Sequence, residues 1–113
     1  VLTVASTRFG RNDKPNAHAW HDVGLATAQL IVQATDLGLV AHAMAGFSAD
    51  AARERFSIPP GHDPVAALAI GRPGDGALLP EDVRARDAGP RTRRPLDGQV
   101  AGGTWGAPPD WLP

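Results

Sequence analysis

The chain has 113 residues, and eleven basic against twelve acidic side chains leave a formal net charge of −1 at pH 7. Its length allows one domain at most, its 42 % apolar content excludes an acidic disordered chain, and its near-neutral charge offers nucleic acid no field. No apolar run approaches the about 20 residues of a membrane span. Without cysteine there is no disulfide framework, thiolate nucleophile or thiolate metal site, and a cytoplasmic location is the default expectation.

Val1-Leu2-Thr3-Val4-Ala5 opens the chain with neither an initiator methionine nor a basic leader, so a processed or cut N-terminus is expected. The same β-branched run predicts a short buried strand. Ser6–Asn16 reads as a polar loop, with Gly10, Asn12-Asp13 and Pro15-Asn16 as turn signals. Val23, Ala26, Leu30, Ala34 and Leu37 recur at helical spacing, predicting a helix from Asp22 to Leu37 that Gly38 ends in the left-handed conformation. Leu25, Ala28, Ile31 and Val32 widen its apolar surface, so this helix should be buried between layers or at a subunit interface.

Val40–Phe47 reads as a connection of small apolar residues around Gly46. Ser48 is placed to cap a short helix over Ala49–Phe56, which Pro59-Pro60-Gly61 stops. Val65–Ile70 is continuously apolar between Pro64 and Gly71, as in a strand covered on both faces. Pro80 should open a one- or two-turn helix reaching Arg86. Glycine and proline are far denser after residue 70 than before it, which divides one domain, 1–113, into a core (1–70) and an arm (71–113). The element order argues for a layered α+β architecture.

Side-chain acid–base or metal chemistry is poorly supported. His18 and His21 are one helical turn apart, yet no second cluster of ligands completes a site, so surface or capping roles are expected for them and no metal. No Gly-x-Ser-x-Gly elbow or carboxylate pair is present. The arm is more informative: Arg84, Arg86, Arg91, Arg93 and Arg94 stand against Asp87 alone. In an extended segment Arg91 and Arg93 project to one side, which suits a phosphate monoester. A solvated loop, or ion pairs across an interface, explains the same arginines equally well. Around Gly46, small residues would let a flat ligand approach free backbone N–H groups, with Met44 and Phe47 as polarizable walls. An ordinary turn between elements explains that stretch too.

Taken together, four segments in order resemble the flavin-dependent nitroreductase family. Trp20–Leu30 with Gln33–Leu39 is similar to that family's long central helix, and Ala43-Met44-Ala45-Gly46-Phe47 to its flavin-facing turn. Ala69–Asp75 resembles the strand and loop that follow, and Arg91-Thr92-Arg93-Arg94-Pro95-Leu96 the basic phosphate segment. The resemblance covers the C-terminal half of that fold. It implies a homodimer with a mixed α+β sheet, helices on both faces, incomplete in this chain, that binds FMN at the subunit interface. By the same match the amides of Ala45 and Gly46 would face flavin N5 and O4, Met44 would pack on the ring, and Arg91 and Arg93 would hold the phosphate. The implied activity is ping-pong hydride transfer from NAD(P)H through flavin N5 to a nitroaromatic or quinone-like acceptor, with no side-chain catalyst. Weak FMN binding is expected of the chain alone, because the family's Arg-x-Ser-x-Arg-type segment has no counterpart here. Ala43 stands where the family often has proline. The tail Val100–Trp105 resembles a segment that crosses onto the partner subunit. The competing expectation is a non-catalytic α/β module whose arginine arm docks a phosphorylated ligand or acidic partner. It would be colourless, whereas a flavoprotein is yellow.

Overall fold

The computed structural model describes residues 1–111. They form two compact units, the first spanning Val1–Gly74 and the second beginning at Asp75. In the first, strands β1 (Leu2–Ser6), β2 (Val40–Met44) and β3 (His62–Gly71) make an antiparallel sheet in the order β1-β3-β2. Helices α1 (Ala19–Asp36) and α2 (Ala49–Phe56) fill the two connections.

Helix α1 starts three residues before the predicted Asp22. The Asn16 carboxamide accepts from the His18 N–H at 3.0 Å, ending the loop and supplying a partner for an amide at the helix start. Gly38 ends α1 at φ +71°, where its N–H reaches the Thr35 carbonyl and the Leu39 N–H the Ala34 carbonyl. That double closure satisfies carbonyls the last turn would otherwise orphan. Ser48 caps α2 by accepting from the Ala51 N–H at 3.2 Å. The same double closure ends α2, with Ser57 as the left-handed residue at φ +51°.

Two expectations are corrected. Val40–Met44 is a strand rather than a connection, paired with Ala67–Gly71 of β3. Its three small or polar central residues, Ala41-His42-Ala43, carry little strand signal, and pairing with β3 overrides that weak local preference. Pro64, expected to bound β3, lies inside it, opposite Val4. The register shifts between Thr3 and Val4, leaving Val65 as the extra residue of a bulge. A bulge is where a ladder can accept a residue without an N–H.

The core lies where α1 crosses β1. Ala5, Ala19 and Val23 are buried together, with Val65 packed against them. Alanines at the crossing let helix and strand approach closely, at the expense of the apolar area they bury. The α1 stripe that faces inward runs through Ala19, Val23 and Ala34; Ala26 and Leu37, expected in it, are exposed. Arg53 ties α2 to the start of β3, donating to the His62 carbonyl at 2.5 Å and pairing with the Asp63 carboxylate.

In the second unit, Pro80 precedes helix α3 (Glu81–Asp87), and 3-10 turns form at Gly76–Leu78 and Leu96–Gly98. Gly102 donates to the Ala107 carbonyl at 2.9 Å and closes a tight turn. Pro109 is packed so closely on Gly102 that a Cβ there would come within 2.6 Å of it. That turn displays Trp105, 97 % exposed.

Candidate functional site

The sheet divides the side chains of the first unit. Strand alternation sends Ala5 toward α1 and sends Leu2 and Val4 to the opposite face. On that opposite face Leu2, Val4, Ala67 and Ala69 meet Phe47 and Phe56 from the α2 side across an open groove of about 940 Å³. The apolar run of β3 was expected to be covered on both faces. Among the described residues α1 covers one, and the other lines this groove.

Met44 ends β2 at the groove. Ala45 and Gly46 follow it, exposed, and neither N–H donates a hydrogen bond among the described residues. A Cβ built on Gly46 would meet nothing within 4 Å. The chain's own packing therefore gives no reason for a glycine here, and open space stands over two undonated amides. Exposed as they are, both N–H groups are free to bond water or an incoming acceptor. A carbonyl or ring nitrogen brought to this turn would satisfy both.

Arg91 and Arg93 belong to the second unit. Both are exposed, and neither forms an ion pair among the described residues. Among the described residues the Arg93 guanidinium bonds only the neighbouring Thr92 carbonyl, at 2.8 Å. Downstream, the Gln99 amide donates to the carbonyls of Arg94 (3.0 Å) and Pro95 (3.2 Å), fastening the chain just past the arginines.

The histidines do not gather into a site. His18 and His21 are exposed, His21 lies 3.4 Å from Asp22, and His42 sits exposed on β2. His62 Nδ1 is buried without a partner among the described residues. Among the described residues no three His, Asp or Glu side chains converge as metal ligands, and no helix is long and apolar enough to cross a membrane. Met44 and Phe47 stood out in the sequence, but the rest of the groove lining, Arg55 included, did not. No local signal marks them, since they converge only once α2 packs beside the sheet.

Residues 1–72 match the nitroreductase family. The chain belongs to that family. The solved structure of an oxidoreductase containing FMN superposes with a TM-score of 0.83 at 32 % identity, over 92 % of this chain and 54 % of that one. A nitroreductase family protein from Clostridium difficile 630 gives a TM-score of 0.62 at 26 % identity, over 91 % of this chain and 58 % of that one. Both share its mixed α+β architecture, and the chain spans little more than half the length of either. An uncharacterized 15.4 kDa protein in the ask 5' region of Mycolicibacterium smegmatis is 38 % identical over 108 residues, covering 96 % of this chain and 73 % of that protein.

Proposed function

We propose that this nitroreductase-family chain forms part of an FMN-dependent NAD(P)H oxidoreductase. The observation that carries the reading is the pair of undonated amides at Ala45 and Gly46, under open space and beside the exposed Met44. The FMN-containing relative, at 32 % identity, supports the choice of ligand. Bound FMN would supply the two-electron chemistry, taking hydride from NAD(P)H and delivering it to a nitroaromatic or quinone-like acceptor in a ping-pong cycle.

The work left to the protein is binding and orientation. Ala45 and Gly46 donate toward N5 and O4 of the ring, where charge changes on reduction and a fixed dipole is most effective. Met44 packs its thioether on the ring system. Arg91 and Arg93 hold the phosphate through charge-assisted bonds. The site includes further polypeptide equivalent to what the longer relatives carry, so the chain alone binds FMN weakly.

Titration of FMN into the protein, followed by quenching of flavin fluorescence, tests this reading. Gly46→Val makes the test specific. The added side chain meets nothing in the chain, so stability should stay within about 0.5 kcal/mol, while FMN affinity falls at least about tenfold, or about 1.4 kcal/mol. Unchanged FMN affinity in Gly46→Val would remove the turn from the flavin site. A colourless protein whose arm still binds inorganic phosphate would favour the docking module.

We also read the assembly as a homodimer. Leu25 and Val32, seven residues apart on α1, are 51 % and 68 % exposed, with the small residues Gly24 and Ala28 beside them. An apolar stripe of this kind on the outer face of a helix marks an interface. Leu25→Glu should halve the mass measured by sedimentation, and an unchanged mass would move the interface elsewhere. The exposed Trp105 and Trp111 of the second unit are read as the arm that crosses onto the partner.

A further inference from the structure

Helix α2 has little apolar hold on the sheet. Ala52 is its one buried residue among those described, and Phe56, its largest apolar side chain, is 64 % exposed. Burying an alanine removes little apolar area from water. What fastens the helix instead is Arg53, whose half-buried side chain spans the gap to the start of β3. One nitrogen of its fork donates to the His62 carbonyl at 2.5 Å, and the other pairs with the Asp63 carboxylate. Among the described residues no other α2 side chain hydrogen-bonds to the sheet.

The turn at Ala45 and Gly46 is therefore anchored to one strand at both of its ends. On one side Met44 pairs with Ala67 of β3. On the other, Phe47 leads into Ser48, which caps α2 by accepting from the Ala51 N–H, and Arg53 of that helix reaches back to His62 and Asp63. Neither turn N–H donates a hydrogen bond among the described residues, so where the two anchors lie decides where these amides point. We infer that Arg53 is a positioning residue for the flavin: it holds α2 against β3, and through α2 it aims the amides of Ala45 and Gly46. The inference rests on the oxidoreductase reading for the ligand that those amides meet, and on the hydrogen bonds of Arg53 for the means. Arginine suits this task better than lysine. Its planar fork fixes two acceptors at once, whereas an ammonium on a flexible stem leaves the helix free to swing.

FMN titration of Arg53→Gln, Arg53→Lys and Asp63→Asn reads the effect, with circular dichroism giving the folded fraction of each. Arg53→Gln should weaken FMN and riboflavin alike by about tenfold, because the ring and not the phosphate loses its donors. Arg53→Lys keeps the charge and Asp63→Asn keeps the bond to His62, so each should weaken FMN by only about threefold. A cycle with Gly46→Val separates positioning from support of the fold. If Arg53 acts through the turn, Arg53→Gln should cost almost nothing more once Gly46→Val has spoiled the turn, whereas independent losses would multiply to about a hundredfold. Spin relaxation of the backbone amides reads the turn with no flavin present. Order parameters at Ala45 and Gly46 should fall from about 0.85 in the unaltered protein to below about 0.6 in Arg53→Gln, with those of α1 unchanged.

FMN affinity that stays within about twofold in folded Arg53→Gln overturns the inference and leaves the oxidoreductase in place. Losses that multiply with Gly46→Val overturn it too, since Arg53 would then serve stability alone. So does a turn equally ordered with and without the arginine. Should Arg53→Gln fail to fold, Arg53→Lys and Asp63→Asn carry the same cycle and the same relaxation measurement, and the same outcomes decide. The flavin-free readout separates this inference from the reading beneath it. A turn that loosens without Arg53, in a protein that takes up no flavin, keeps Arg53 as the residue that holds the turn and removes the oxidoreductase.

Discussion

Leu68→Ala is expected to destabilise the protein by about 2–5 kcal/mol, the range for truncating a buried leucine. Leu68 is 3 % exposed in the middle of β3, where its N–H donates to the Val1 carbonyl at 2.7 Å and its carbonyl accepts from the Val1 amine at 2.9 Å. Among the described residues the other buried hydrophobic side chains are those of Ala5, Ala19, Ala34, Ala52 and Val23, so Leu68 supplies a disproportionate share of the apolar area removed from water. With a core this small, total stability should sit near the low end of about 5–15 kcal/mol. The substitution then removes a third or more of it. In urea, with a slope of about 2 kcal/mol per molar, the midpoint should fall by about 1–2.5 M. Leu78, 86 % exposed in the second unit, makes the control: Leu78→Ala should change stability by no more than about 0.5 kcal/mol. Equal effects from the two substitutions would mean that burial of Leu68 does not hold β3 in place.

What was legible in the sequence follows from how locally each feature is determined. The ends of α1 and α2 depend on one or two residues, and Gly38 and Ser48 announce them through backbone conformation and hydrogen-bond chemistry alone. Strand β2 depends on a partner 27 residues away, since Met44 pairs with Ala67 after a step of 23 residues and Val40 with Gly71 after 31. Nothing in Ala41-His42-Ala43 declares that pairing. The bulge at Pro64 has the same character: a proline reads as a boundary until the opposite strand is known to tolerate it. At the candidate site Gly46 and the alternating arginines stood out by residue type. The groove did not. Its lining is apolar in the way any core strand is, and whether such a face is covered is decided by what packs on it, which the strand's own residues do not record.

Arg91→Ala/Arg93→Ala should weaken FMN binding by about 10²–10⁴-fold, the largest effect expected on the function. A hydrogen bond to a charged group contributes about 1.5–3 kcal/mol, so losing two costs about 3–6 kcal/mol at about 1.4 kcal/mol per tenfold change. Neither side chain gives up an ion pair to make these bonds, because neither has one among the described residues. Both are exposed, so the substitutions should leave folding intact. Riboflavin, which has the ring and ribityl chain of FMN without the phosphate, separates the two halves of the ligand. The double variant should bind riboflavin as the unaltered protein does, whereas Gly46→Val should lose affinity for both flavins in proportion. Raising ionic strength should narrow the gap between FMN and riboflavin in the unaltered protein and leave the double variant nearly unchanged, since screening acts on the charge contact alone. If the double variant lost riboflavin and FMN equally, the arginines would be supporting the fold of the second unit and not reading a phosphate. If it lost neither, the basic run would be a solvated arm, and the flavin reading would rest on Met44, Ala45 and Gly46.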